Sequence, residues 1–336
     1  MSGKFIGAPV VVNEAVDLIR RYWEGIETPI KFRYSHLNNN LLGGLYKGNI
    51  LVIGGISGTG KSFVLKNLEE DIFDKKLNPG SDNYMLIRCN WEMSGFKLLV
   101  RSIKNHLKIK TEDLLFNKDK LDLTKLGEVA NFERNPNIYY YPHPTYAEEW
   151  YKDMYSFLSE HRDKKHIVIT IDHIALVKTK GDKKLQMDLL INYANSLRQE
   201  YPNVSFIILS QLNRDIETRE NVKNLAPKRS DLYQSDTMFH IADVVLILHN
   251  PYRLGHDKYM RVPVKRYEYL KEYMLSPDNK YSSFKTEGLI FWHYLKLREL
   301  DDLKDLKDLH IEVVYKTDES QKTSENYFDD DMDMPF

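Results

Sequence analysis

Apolar and polar positions along the 336-residue chain fall into two rhythms. From Val12 to Trp23, the residues Val12, Ala15, Val16, Ile19, Tyr22 and Trp23 recur at helical spacing and share one face. This helix precedes the body of the chain, so its apolar face needs a cover, supplied by the body or by a neighbouring subunit. Beyond Leu41-Leu42-Gly43-Gly44-Leu45, short apolar runs alternate with amphipathic stretches. Strands are predicted at Asn49–Ile53, Tyr84–Cys89, Ile138–Tyr141, His166–Ile171, Val204–Leu209, Asp243–Leu248 and Leu289–Leu297, with Ile311–Tyr315 at an edge. Helices are predicted from Lys61 to Phe73, along Phe96, Leu99, Val100, Ile103 and Leu107, and from Leu185 to Leu197. Thr145 with Glu148 reads as a capping box that opens a further helix through Trp150, Met154 and Phe157. The alternation predicts an α/β fold, a mostly parallel central sheet with helices on both faces.

Residues 250–287 break the rhythm with six tyrosines among many lysines and arginines, and read as an insertion between two strands. Arg253, Lys258, Arg261, Lys265 and Arg266 there suit base stacking or phosphate contact. A surface elaboration that packs its own tyrosines fits equally, and the pattern assigns no site residue in this segment.

Composition narrows the setting. Hydrophobic residues at 42% and charged residues at 29% allow a sizeable core. No run approaches the ~20 apolar residues of a membrane helix, and the first residues lack the pattern of a signal peptide. The single cysteine, Cys89, rules out an intrachain disulfide and a zinc cluster of cysteines. These features predict a soluble, cytoplasmic protein with no membrane partner. The net charge of −1 hides an asymmetry, because seven acids but only one lysine fall within residues 317–336. That tail is predicted to be disordered. The mildly basic remainder permits contact with nucleic acid without demanding it.

The strongest chemical signal is Gly55-Ile56-Ser57-Gly58-Thr59-Gly60-Lys61-Ser62, placed after a predicted strand and at the start of a helix. It fits the phosphate-binding loop G-x-x-x-x-G-K-[ST]. Glycines there let backbone amides curl around phosphate oxygens, and the helix N-terminus adds its positive end. Gly55, Ser57, Gly58, Thr59, Gly60, Lys61, Ser62 and the adjoining Phe63 are the candidate ATP contacts. Lys61 would reach the β/γ-phosphates and Ser62 would ligate Mg²⁺. Asp172 ends the β-branched run Ile167–Ile171, where a carboxylate can hold the same ion or its water. Glu92, in Asn90-Trp91-Glu92-Met93-Ser94, suits a general base. From the residues alone it suits equally a solvated acid near a helix start. Ser210-Gln211 closes a strand where an amide can sense the terminal phosphate, although a polar loop start explains it as well.

Taken in order, these motifs resemble the C-terminal motor domain of DnaB-family replicative helicases, a RecA-like P-loop NTPase fold. The residues that carry the resemblance are Leu42-Gly43-Gly44-Leu45, the loop ending Gly60-Lys61-Ser62, Trp91-Glu92-Met93-Ser94 and Ile171-Asp172-His173-Ile174-Ala175-Leu176. They continue through Leu209-Ser210-Gln211-Leu212-Asn213-Arg214, Ser230-Asp231-Leu232, Ala242-Asp243-Val244-Val245 and Lys296-Leu297-Arg298. The resemblance spans residues 28–316, with 1–27 ahead of it as a segment whose helix links subunits. It implies that Glu92 is the catalytic glutamate, that Arg101 lies near the nucleotide, and that Gln211 relays nucleotide state to DNA-facing loops. It also implies that Lys296 and Arg298 reach the neighbouring subunit's nucleotide, Arg298 as an arginine finger. A finger acting in trans requires an oligomer, and the family forms a hexameric ring that translocates 5′ to 3′ on single-stranded DNA. Candidate DNA contacts are Lys178, Lys180, Lys183, Lys184, Lys228 and Arg229, whose charges suit phosphates. A solvated loop is the plainer reading of the same lysines.

The chain departs from the family at Tyr233-Gln234-Ser235-Asp236, where Arg-Glu-Ser-Gly is usual, and at Glu299-Leu300, where Asn-Gly is common. Both departures bear on DNA grip more than on ATP hydrolysis. The sequence reads as lacking the family's N-terminal platform for primase. Such compact versions resemble bacteriophage or mobile-element helicases, which act in a bacterial host's cytoplasm. The tail Asp329-Asp330-Asp331-Met332-Asp333-Met334-Pro335-Phe336 resembles the acidic tip of bacterial single-stranded DNA-binding proteins. Phe336 and its carboxylate suit a pocket with an arginine, and Pro335 accompanies it; a solubilising tail is the alternative. The expectation is an ATP- and Mg²⁺-dependent helicase acting on single-stranded or forked DNA. Its partners would be copies of itself, a primase, a loader and proteins that read such tips. Two other readings are a RecA-like DNA-dependent ATPase that remodels or loads without unwinding, and an ATP-controlled adaptor.

Overall fold

The computed structural model describes residues 7–107, 109–221, 224–233, 236–298 and 308–313. The tail tip, with Pro335 and Phe336, lies outside the described residues, as do Gln234, Ser235, Glu299 and Leu300.

Eight strands form the central sheet in the order β10-β9-β6-β1-β5-β4-β2-β3. They are β1 (Ile50–Gly55), β2 (Tyr84–Asn90), β3 (Ile138–Tyr140), β4 (His166–Asp172), β5 (Val204–Gln211), β6 (Val244–His249), β9 (Leu289–Leu297) and β10 (Leu309–Val313). Pairing from β6 through β1, β5, β4 and β2 to β3 is parallel. β9 runs antiparallel to both β6 and β10. Alternation along each central strand divides its side chains between two cores. Ile50 and Val52 of β1 face one core and Leu51 and Ile53 the other; Phe206 and Ile208 of β5 oppose Ile207 and Leu209 in the same way.

The first core is roofed by α7 (Ala147–Glu160), α8 (Lys183–Glu200) and the short α9 (Asp236–Ile241), through Trp150, Met154, Leu190, Ala194 and Met238. The second lies under α3 (Lys61–Ile72) and α2 (Ser35–Asn40), with Phe32 and Trp292 between them. Residues between β6 and β9 form a separate ribbon, β7 (Lys258–Pro263) against β8 (Tyr281–Lys285), around Tyr259, Tyr267 and Phe284.

Two expectations change, and an alternative left open for the N-terminal helix is narrowed. Thr145 is not the cap of α7: Tyr146 stands at that position without a side-chain cap, and the Thr145 hydroxyl bonds Glu149 instead. Between α4 (Gly95–Leu107) and β3 the chain forms two further helices, α5 (Thr111–Phe116) and α6 (Leu123–Glu133). The N-terminal helix α1 (Ala8–Trp23) buries none of its residues, so the described residues of its own chain leave its apolar stripe uncovered. No described helix is long and apolar enough to cross a membrane.

A buried ionic web crosses the second core. Arg88 of β2 bonds Glu69 of α3 at 2.8 Å and Glu133 of α6 at 2.5 Å. Thr170 of β4 donates to Glu69 at 2.8 Å, and Tyr140 donates to Glu133 at 2.6 Å. Burial of unpaired charge would be costly, and these ion pairs offset part of that cost, with Arg88 Nη2 lacking a hydrogen-bond partner among the described residues.

His166 and His249 are buried, and burial holds each down to about 3, with Lys47 and His256 respectively as the next cause. The unfolded chain takes up those protons near ~6.5, so stability is full above that value and declines as pH falls towards 3. The melting temperature should therefore drop between about pH 7 and about pH 5, and His166→Gln should flatten the slope. An unchanged slope in that variant would refute the assignment.

Candidate functional site

β1 ends at Gly55, and the chain turns through Ile56–Gly60 into α3. Gly58 and Gly60 have φ of 74° and 86°, a left-handed backbone that glycine adopts without strain. Gly55 leaves no room for a side chain, because a Cβ would stand 2.9 Å from the Leu248 carbonyl. The buried Thr59 hydroxyl donates to the Ile56 carbonyl at 2.9 Å. Lys61 Nζ turns back to the same carbonyl at 2.7 Å. Burial draws the Lys61 ammonium down to about 8, while Asp172 and Glu92 pull it upward.

Asn90 of β2 and Asp172 of β4 are register partners, so the segments leaving both strands emerge at one edge. The Trp91 amide donates to the Asp172 carbonyl at 2.9 Å. Asp172 is buried, and burial with the nearby Glu92 pushes its carboxyl up to about 6; the Ser62 hydroxyl bond and Lys61 work against that rise. Ser62 and Asp172 thus meet as a hydroxyl and a carboxylate, hard oxygen donors suited to Mg²⁺. With Lys61 sunk in a glycine turn at the N-terminus of α3, the set fits a nucleotide's phosphates and their metal ion. Glu92 is exposed beside it. Gln211 pairs in register with Gly55, and its amide nitrogen lies 3.2 Å from His173 Nε2. His173 is buried and held down to about 4 by that burial, then by Lys61 and Lys183. Sequence reasoning did not single it out as a site residue, and its signal was adjacency to the strand-ending Asp172.

Other candidates lie apart. Phe63 is half exposed on the first turn of α3. The Arg101 guanidinium contacts the Met93 sulfur at 3.6 Å on an exposed part of α4. Lys296 pairs with Val245 and Leu297 with Val244, which places Lys296 and Arg298 where β6 begins, at the opposite edge of the sheet from the phosphate loop. Lys296 Nζ donates to the Phe239 and His240 carbonyls at 2.6 and 2.9 Å. Arg298 donates to the His240 carbonyl at 2.6 Å and to Asp243 at 2.7 Å. Asp243 also accepts from the Ile50 amide at 2.8 Å and from Arg198, joining β1, α8, β6 and β9.

Lys178, Lys180 and Lys184 are exposed between β4 and the start of α8, beside a 340 Å³ cleft lined by Tyr146, Glu149 and Gln186. Lys180 stands 5.2 Å over the Tyr146 ring. Lys183 is only half exposed, its amine tied to the Val177 carbonyl at 2.9 Å. Lys228 and Arg229 are exposed in the turn before Asp231. Arg229 joins a different neighbourhood from the lysines: it bonds Asp236 at 3.2 Å and His240 at 2.8 Å. It also covers the Phe239 ring, over which Lys296 lies too. Besides His173, a second residue that sequence reasoning left unassigned stands at the turn: Arg253, from the loop after β6, donates to the Gly58 carbonyl at 3.0 Å.

A model of the DnaB-like helicase C-terminal domain matches residues 29–276. No curated protein matches the chain. Among solved structures, an ATPase domain superposes with a TM-score of 0.62 at 16% identity, over 86% of this chain and 91% of that one. A DnaB-like replicative helicase, described with its interactions with primase, superposes at 0.60 and 18% identity, over 88% of this chain and 64% of that one. The mostly parallel sheet and these likenesses are those of the RecA-like fold.

Asp243→Asn should lower stability by about 3 kcal/mol, because it leaves two guanidinium groups against a neutral amide. Urea denaturation measures this, and a loss below ~1 kcal/mol would show that the hub is dispensable.

Proposed function

This chain belongs to the family of DnaB-like helicase C-terminal domains, and on that footing we propose that it is an ATP-dependent replicative DNA helicase. It works as a hexameric ring, moves 5′ to 3′ along single-stranded DNA and parts the duplex ahead. The observation that carries this reading is the division of the site between two sheet edges. Lys61, Ser62, Asp172, Glu92 and Gln211 gather at the carboxyl edge, while Lys296 and Arg298 stand at the other, out of reach of their own loop.

Magnesium-bound ATP supplies the phosphoanhydride whose cleavage drives the cycle. The loop amides and Lys61 hold its phosphates, and Ser62 with Asp172 holds the metal ion. Glu92, exposed beside them, takes the proton of the attacking water. Gln211, against His173, transmits the change at the terminal phosphate to the segments after β4 and β5. Lys296 and Arg298 leave the α9 carbonyls for the neighbouring subunit's nucleotide, where Arg298 stabilises the developing charge. Arg101 lies near the nucleotide in the assembled ring. Lys178, Lys180, Lys183, Lys184, Lys228 and Arg229 hold DNA phosphates, and a primase and a loader are the natural partners. The motor body is residues 28–316, preceded by the subunit-linking helix of 1–27 and followed by the acidic tail of 317–336.

A second reading is a DNA-dependent ATPase that remodels without unwinding. It is favoured by Arg229, whose guanidinium is already engaged by Asp236 and His240.

ATP-driven separation of a forked duplex with a 5′ single-stranded arm should be seen with the wild type and lost in Lys61→Ala. Glu92→Gln should still bind ATP while turnover falls at least ~100-fold. Hydrolysis with the fork left paired would favour the remodelling ATPase. Removal of Pro335 and Phe336 should abolish capture of proteins that bind single-stranded DNA-binding protein tips and spare ATP hydrolysis; undiminished capture would discard that role for the tail.

A further inference from the structure

The loop after β6 brings a cation to the phosphate loop from the side away from Asp172. Its path is fixed by short-range bonds: the Arg253 amide to Asn250 Oδ1 at 3.2 Å, and the Leu254 amide to the Pro251 carbonyl at 3.1 Å. Gly255, at φ 80°, closes the turn with its amide on the Tyr252 carbonyl at 2.9 Å. Leu254 packs on the core beneath α7 and α8. Arg253 is therefore held at its backbone while its side chain stays exposed, with Nη1 3.0 Å from the Gly58 carbonyl. A Cβ at Gly58 would overlap that guanidinium, so the cation fills the space directly against the loop.

The planar fork of a guanidinium matches phosphate oxygens in charge and geometry, and this one stands directly against the phosphate-binding turn. The sheet order decides which end of a nucleotide it would meet. β5 and β4, carrying Gln211 and Asp172, lie on one side of β1, and β6 lies on the other. Metal ion and terminal phosphate belong on the side of Asp172. The α-phosphate and ribose of the same nucleotide therefore extend towards β6 and Arg253.

We propose that Arg253 is a nucleotide-binding residue in cis, which exchanges the Gly58 carbonyl for the α-phosphate end of a bound nucleoside di- or triphosphate. This rests on the nucleotide site proposed above. Because the contact lies away from the terminal phosphate, it serves ATP and ADP alike. Arg298 serves a neighbour's transferring phosphate and has no such symmetry.

The test is displacement of a fluorescent ADP analogue from the full-length chain by unlabelled ATP and by unlabelled ADP. Wild type, Arg253→Ala, Arg253→Lys and Lys61→Ala are compared. Arg253→Ala should weaken both nucleotides by the same factor, about tenfold for one lost charge-assisted bond. Arg253→Lys should recover part of the loss, which a purely structural role of the side chain would not give. A loss confined to ATP would move the contact to the terminal phosphate and overturn the proposal. Unchanged or tighter binding in Arg253→Ala would make the residue a plug on the empty loop and overturn it too. Wild type that binds neither nucleotide, like Lys61→Ala, would instead overturn the nucleotide site itself and this contact with it.

Discussion

Parallel pairing of β1 with β5 on one side and β6 on the other makes all three strands release their chains at the same edge of the sheet. Parallel strands need crossovers, so each strand end is succeeded by a segment that must turn over that edge. The phosphate loop, the residues after Asp172, Gln211 and the turn bearing Arg253 are those segments. The register does the rest. Gly55 stands opposite Gln211 and Asn90 opposite Asp172, so residues distant in sequence arrive within reach of one another. Were β9 also parallel, Lys296 would end at this edge; because it runs the other way, its last residues lie at the opposite one.

Low dielectric surroundings then set the charges. Lys61 and Asp172 are both drawn towards their neutral forms by burial, and a phosphate beside the one and a metal ion beside the other would favour their charged forms, while burial keeps His173 neutral. The scaffold under them is stiffened by a different device. Glu69 sits on the same helix as Lys61 and Ser62, and its bonds to Arg88 and Thr170 tie that helix to the strands that lead to Glu92 and Asp172. The geometry of the candidate site is thus braced from beneath by Glu69, Arg88 and Thr170.

Much of this was legible in the chain. Ile167–Ile171 and Val204–Leu209 are short, mostly β-branched and large apolar runs, as expected of strands buried on both faces, with Ser205 the polar exception. The glycine turn between β1 and α3 is local, so its strand–turn–helix shape could be expected from the spacing of Gly55, Gly58 and Gly60. α5 buries none of its residues, and α6, although Leu123, Leu126 and Ala130 recur at helical spacing, buries only Val129 among the described residues, so both are short pieces that contribute little to the core. Thr145 and Glu148 have the composition of a capping box, but the helix starts after Tyr146 and the hydroxyl found Glu149. Arg253 was illegible for another reason. Its partner Gly58 lies 195 residues away, and the meeting depends on the turn that ends at Gly255. Arg229 shared a charge pattern with Lys178–Lys184, yet its ring and carboxylate partners belong to α9.

Helix α1 carries a consequence of its own. Val12, Val16 and Ile19 are about half exposed and Trp23 is 84% exposed, so among the described residues this helix is held mainly by polar and ring contacts near its end, such as Arg21 on Glu27 and Tyr22 beside Tyr46. A helix of 16 residues is marginal in water when nothing packs on it. Its coil and its ordered form therefore differ by little until another apolar surface arrives. The order of these residues is set by whatever apolar surface comes to cover them, while the sheet is held by its own two cores.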